Sequence, residues 1–173
     1  MDTIARLANT SKQSIYARFP TKAALFTAFM AWRFQTGAAR RLELSPDEAG
    51  SPAQYLEKLG LLLLQSNLGP EAQQMGDHLR TVLRHSPELA QSLWDVGPGR
   101  GRDALRKYLR RQVDEGVLAI PDVETAMEQL LGMLIGGPAF RMFRGMAPIH
   151  TSKSEQQVWV KNCVQLFLSF YKS

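Results

Sequence analysis

The sequence predicts an all-α protein, and three features of it do so. Apolar residues recur at three- and four-residue spacing in segment after segment, the period of an amphipathic helix. The segments are separated by clusters that break helices, among them Ser45-Pro46-Asp47, Gly50-Ser51-Pro52 and Gly69-Pro70. The 173 residues are 45% hydrophobic and 21% charged, ample apolar material for a packed core and too little charge for a disordered chain. The length suits one domain, or a small appendage joined to a larger one.

Residues 2–8 are expected to form a short helix with Ile4, Leu7 and Ala8 turned inward. Ala8-Asn9 signals a tight turn, since Asn tolerates the left-handed backbone that such a turn needs. Thr10 or Ser11 can accept the orphan N–H groups of the next helix. On that helix Ile15 and Phe19 share one face and can anchor it to its neighbour. Lys12, Gln13, Ser14, Ala17 and Arg18 are left outside, a short donor-rich face of the kind a DNA major groove accepts. Phe19-Pro20-Thr21-Lys22 then breaks into a third helix, with Thr21 as its cap.

The stretch IARLANTSKQSIYARFPTKAALF, Ile4 to Phe26, resembles the helix-turn-helix of TetR-family transcriptional regulators, which typically reads IAxxAGVSxxTLYxxFxSKexL. The combination of Ile-Ala, the turn and the Tyr-x-x-Phe-x-x-Lys spacing carries the likeness. Asn9 stands where Gly is usual, Thr10 where Val is, and Ala23 where an acidic residue is common. The resemblance implies a TetR-like fold: an N-terminal helix-turn-helix followed by a helical ligand-sensing and dimerisation domain. It sets the start of the chain at the family's second helix, so the expected head lacks its first helix. It also implies a double-stranded DNA operator as partner. Lys12, Gln13, Ser14, Ala17 and Arg18 would lie at or near base edges, and Tyr16 and Lys22 would hold phosphates.

The third helix carries Leu25, Phe26, Phe29, Met30, Trp32 and Phe34 and is expected to run to about Leu44, closing a first unit at 1–44. The second unit is expected at 45–173. In it, Tyr55, Leu59, Leu62 and Leu63 mark a helix from Pro52 to Asn67, and Met75, Leu79, Val82 and Leu83 one from Glu71 to His85. Ser86-Pro87-Glu88 should start the next, with Pro in a permitted first-turn position. Gly97-Pro98-Gly99-Arg100-Gly101 lacks the Gly-Lys-Ser/Thr ending of a phosphate-binding loop and reads as a kink in a long helix. Beyond it Leu105, Tyr108, Leu109 and Val113 face one way, and the basic run from Arg100 to Arg111 reads as a solvated face. HSPELAQSLWDVGPGRGRDALRKYL and EQLLGMLIGGPAFRMF also look like the sensor domains of some TetR-family members.

Charge is unevenly placed. Residues 1–44 hold seven basic and two acidic side chains, whereas the rest of the chain balances, so the whole formal charge of +5 lies with the candidate reading head. A localised positive field is what a phosphate backbone attracts.

The last two helices point to assembly. Asp122 can cap a helix bearing Val123, Met127, Leu130, Leu131, Leu134 and Ile135, which Pro138 should bend on its way to Phe140 and Phe143. Residues 155–171 are apolar around most of the helix circumference, so that helix needs two faces covered. A homodimer through helices at about 123–145 and 155–171 covers the second.

For other chemistries the signals are thin. His78 and His85 lie seven apart beside Asp77, but no HExxH-type or Cys-rich pattern accompanies them, so neither metal nor cofactor is expected. There is no nucleophile elbow, Cys163 sits among apolar residues and reads as core, and catalysis is not expected. One cysteine, no basic-then-apolar leader and no apolar run of membrane-spanning length fit a cytoplasmic protein. The expected function is a dimeric regulator, most often a repressor in this family, released by a small-molecule inducer. Met75, His78, Trp94, Met133 and Phe140 are the candidate inducer contacts, each with an ordinary core role as its rival. The alternative is a dimeric small-molecule-binding protein whose DNA-binding head is incomplete and silent.

Overall fold

The computed structural model describes residues 1–36, 50–68, 70–147 and 149–172. In chain order they form α1 (Asp2–Leu7), α2 (Lys12–Arg18), α3 (Lys22–Thr36), α4 (Pro52–Leu68), α5 (Pro70–His85), α6 (Leu89–Val96) and α7 (Pro98–Asp114). Then come α8 (Val123–Leu131), a π-helical turn (Gly132–Gly136), α9 (Gly137–Phe143) and α10 (Lys153–Tyr171). The described residues contain no strand beyond a single bridge between Leu118 and Lys172. The extension of α3 toward Leu44, and the break at Ser45-Pro46-Asp47, lie outside the described residues.

The helix ends follow from local chemistry. Three of them close in the same way. After α1, α7 and α9 a residue in the left-handed region, Asn9 (φ 49°), Gly116 (φ 71°) or Gly145 (φ 69°), turns the chain. The next N–H then reaches back five residues: Thr10 to Ala5, Val117 to Gln112, Met146 to Arg141. At the N-termini, Asp122 accepts from the Glu124 and Thr125 N–H groups, and Ser152 and Glu155 form a reciprocal capping box. Ser86-Pro87-Glu88 is a turn just ahead of α6, whose first residue is Leu89, rather than its first helical turn.

The main core gathers Tyr55, Leu56, Leu59 and Leu64 of α4, Leu105, Tyr108 and Leu109 of α7, Met127, Leu130 and Leu131 of α8, and Val160, Val164 and Phe167 of α10. Cys163 belongs to it as expected; burial pushes its thiol up, and Sγ lies 3.5 Å from the Met133 carbonyl. At its tightest point α4, the π turn and α10 meet over Gly60. A Cβ there would lie 2.7 Å from Val160 Cγ1 and 2.9 Å from Leu134 Cδ2. Beside it, Tyr55 and Tyr108 stack with centroids 3.7 Å apart.

Three expectations need correction. Ile4 and Leu7 are 39% and 79% exposed and Ala8 is exposed too; Ala5 is the residue of α1 that is buried. A helix of six residues presents α2 with only a narrow strip, and Ala5 fills it. The Gly-Pro-Gly-Arg-Gly stretch is a break, not a kink. Pro98 disfavours helical backbone in the residue before it, and Gly97 adopts φ −133°, ψ −101°, ending α6 and leaving Pro98 at the first turn of α7. The basic run of α7 is not simply solvated. Arg102 pairs with Glu128, Arg106 Nε lies 2.5 Å from Glu124 Oε1, and an Arg110 nitrogen is 3.3 Å from the same oxygen, so α8 neutralises much of the face.

Pro138 acts less as a bend than as a missing donor. It cannot bond the Leu134 carbonyl one helical turn back, the backbone widens into the π turn just before it, and Trp159 Nε1–H donates to that carbonyl at 3.0 Å.

Two outcomes follow for stability. Gly60→Ala should overpack the crossing of α4 with α10 at a cost of about 1–3 kcal/mol, read as a lowered Tm by calorimetry. Burial, then the neighbouring Tyr55, pushes the Tyr108 phenol up to about 12. Its folded-state value is therefore above the unfolded one. The stabilisation it carries should be complete below about pH 10 and be lost as pH rises toward 12, with phenolate absorbance and helical circular dichroism changing together.

Candidate nucleic-acid interface

The N-terminal three helices are built around a short turn. Asn9 in the left-handed region reverses the chain after α1, and Ser11 then caps α2, accepting the Ser14 N–H at 3.0 Å. Helix α2 lasts seven residues because Pro20 disfavours helical backbone at Phe19, which is extended at φ −129°, ψ 93°. Ile15 is the buried residue of α2 and Phe19 is half-buried at its end, so the pair anchors the helix as expected. Thr21 caps α3, accepting the Ala24 N–H at 3.0 Å, and Lys22 opens it.

That anchoring decides which side chains face outward. Lys12, Gln13, Ser14, Tyr16, Ala17, Arg18 and Lys22 are all exposed, so the seven expected DNA contacts share one short, accessible segment. Two are engaged within the protein. The Ser14 and Ser11 hydroxyls are 2.8 Å apart, and Lys12 Nζ lies 2.5 Å from Asp2 Oδ1. The hydrogen bond to Lys12 holds the Asp2 carboxyl below its ordinary range, and the same bond raises the Lys12 ammonium. The Arg18 guanidinium lies 5.9 Å from the Phe19 ring centroid. Asp2 went unnoticed in the sequence because it is ten residues from Lys12, on another helix; only the turn brings them together.

The head is tied to the rest of the chain through α3. Met30 of α3 is buried against Leu89 and Leu93 of α6, with Phe26 and Phe34 of α3 and Met75, Leu79, Val82 and Leu83 of α5 around them. Gly97 admits the Phe34 ring so closely that a Cβ there would lie 2.3 Å from it. Neither contact shows in helical periodicity.

The five candidate inducer contacts are dispersed. Met75 is half-buried in the α3–α5–α6 cluster, whereas Met133 packs on the main core. His78 is exposed. Trp94 is partly exposed, with Arg102 5.3 Å from its ring centroid, and Phe140 is 61% exposed with Arg144 over it. The structure therefore does not gather them into one wall.

Residues 54–173 match the family described as "AefR-like transcriptional repressor, C-terminal domain", and residues 1–29 match "Bacterial regulatory proteins, tetR family". No curated protein matches the chain. Among solved structures, the Flavonoid-responsive Regulator FrrA superposes with a TM-score of 0.83 at 22% identity, over 99% of this chain and 86% of that one. A putative TetR-family transcriptional regulator from Mesorhizobium loti gives 0.75 at 20% identity, covering 98% and 85%. A TetR transcriptional regulator from Agrobacterium tumefaciens gives 0.74 at 22%, covering 98% and 81%. The fold is thus shared along nearly the whole chain, and both ends of the sequence match the same kind of protein: the chain belongs to the TetR family of transcriptional regulators.

Proposed function

We propose that this DNA-binding regulator works as a homodimeric repressor, with residues 1–44 as reading head and connecting helix and residues 45–173 as sensing and dimerisation unit. The observation that carries the reading is the outward face of α2. Ile15 is held inside while Lys12, Gln13, Ser14, Tyr16, Ala17 and Arg18 stand on the exposed side, where a groove can receive them. Lys12, Gln13, Ser14, Ala17 and Arg18 serve base edges or their surroundings, and Tyr16 and Lys22 serve phosphates.

The dimer reading draws on α9 and α10. Leu166 and Phe170 are 64% and 79% exposed, Val158 and Phe140 are exposed beside them in the sequence order of these helices, and nothing lies within 4 Å of a Cβ at Gly132, Gly136 or Gly137. Bare glycines and uncovered apolar side chains suit two copies meeting as four helices about a two-fold axis.

For induction, the α3–α5–α6 cluster offers the coupling. A small molecule held near Met75 would shift α5 and α6, and through Met30 and Phe34 would re-aim α3 and the head it carries. His78 of α5 and Trp94 of α6 remain proposed contacts of the same ligand, whereas Met133 and Phe140 lie on other elements and do not share that wall.

A second reading has its own observation. Ile4 and Leu7 leave an apolar strip of α1 in water. On this reading a head with that strip uncovered folds too loosely to hold α2 in a groove, and the chain is a ligand-binding dimer that is silent on DNA.

Fluorescence-anisotropy titration of the chain against DNA from its own upstream region, at several salt concentrations, separates the two. Sequence-selective binding that falls steeply with salt supports the regulator; a folded dimer that binds no DNA supports the silent head. In the first case Tyr16→Phe and Lys22→Ala should each weaken binding roughly ten-fold, the worth of one hydrogen bond to a charged group, without altering the dimer. Leu166→Glu should do the opposite, giving a helical monomer by light scattering.

A further inference from the structure

We propose that Asp2 is a competitor for DNA built into the head: its carboxylate holds the Lys12 ammonium in the free protein and gives it up to the DNA on binding. The inference rests on the DNA-binding reading of α2 and goes beyond it by naming a residue that restrains the contact.

Position comes first. Asp2 is the first residue of α1 and Lys12 the first of α2. Their side chains are 80% and 50% exposed, so the pair lies in water beside Gln13 and Ser14, on the segment offered to DNA. An ion pair this exposed contributes little to folding, so stability gives scant reason for it. Its effect on binding is larger. A lysine contributes to DNA affinity by displacing counterions condensed on the phosphates. Lys12 cannot do so while it is neutralised by Asp2, and once it turns to a phosphate it leaves a bare carboxylate facing a polyanion. Both effects weaken the part of binding that depends on phosphates and is common to every sequence. Asp2 therefore lowers affinity for DNA of any sequence, a restraint on the head that is set by the free protein's own ion pair. The first turn of α2 carries no acidic residue of its own, so this restraint comes from the neighbouring helix.

The test is a double-mutant cycle on the full chain, titrating a labelled random-sequence duplex over a range of salt concentrations. The four proteins are wild type, Asp2→Asn, Lys12→Ala and the double variant, each first checked for helicity by circular dichroism. Asp2→Ser serves as a second neutral replacement. Asp2→Asn should tighten binding about three- to five-fold at low salt and steepen the plot of log affinity against log salt by about one. In the Lys12→Ala background the gain should be clearly smaller, because only the repulsion of a bare carboxylate is then left to remove. Unchanged binding by Asp2→Asn and Asp2→Ser overturns the exchange, as does a gain of equal size without Lys12, which would make Asp2 only one more negative charge. Absence of DNA binding by all the folded proteins overturns the DNA-binding reading and the exchange together. Wild-type binding with no gain in the variants overturns the exchange alone.

Discussion

The rest of the structure depends on how closely α4 and α10 can approach. At Gly60 α4 has no side chain to hold α10 off, and Val160 and Leu134 fill the space a methyl group would need. Around that crossing the main core closes on Leu56, Leu64, Leu130 and Val164, all without contact with water. Packing of this density resists small displacements, because core side chains have few alternative arrangements. A rigid block built from α4, α7, α8 and α10 is therefore the frame against which the other helices are placed.

The α3–α5–α6 cluster is made differently. Met30, Leu89 and Leu93 are buried, but the residues packed around them are only half-buried, and Met30 and Met75 have unbranched side chains that adapt to altered surroundings. The contrast bears on function. A regulator needs one part that keeps its shape and one that can yield, and here the yielding part contains the helix that leads to the head. Phe34 lies at the junction, set against the break between α6 and α7 where Gly97 leaves it room. From Trp94 beside that break, Arg102 leads to Glu128 on α8, which continues through the π turn into α9, one of the helices proposed for dimerisation.

Much of this was legible in the sequence, wherever the governing interactions are short in range. Asn9, Ser11, Thr21 and Asp122 act within three or four residues of themselves, and each helix end they mark is where their chemistry puts it. Core residues such as Leu105, Leu109, Met127 and Leu130 followed from period alone. What periodicity cannot give is a neighbour's identity. It placed Ile4 and Leu7 inward because they are apolar, although a six-residue helix had no wall to receive them. It treated Arg102, Arg106 and Arg110 as a solvated stripe because Glu124 and Glu128 belong to another helix. The outward face of α2 was legible through Ile15, whereas the ion pair that occupies Lys12 was not, since its partner lies across a turn.

The exchange of donors at Pro138 has an evolutionary reading. The Leu134 carbonyl is left without its usual helical partner and takes the Trp159 indole instead. Proline and tryptophan thus answer a single need from two helices. A lineage that replaced Trp159 with phenylalanine would keep the ring's bulk but strand a half-buried carbonyl, and could recover by restoring an ordinary residue at Pro138. The two positions should therefore drift together, so that related chains lacking one tend to lack the other, although 21 residues separate them.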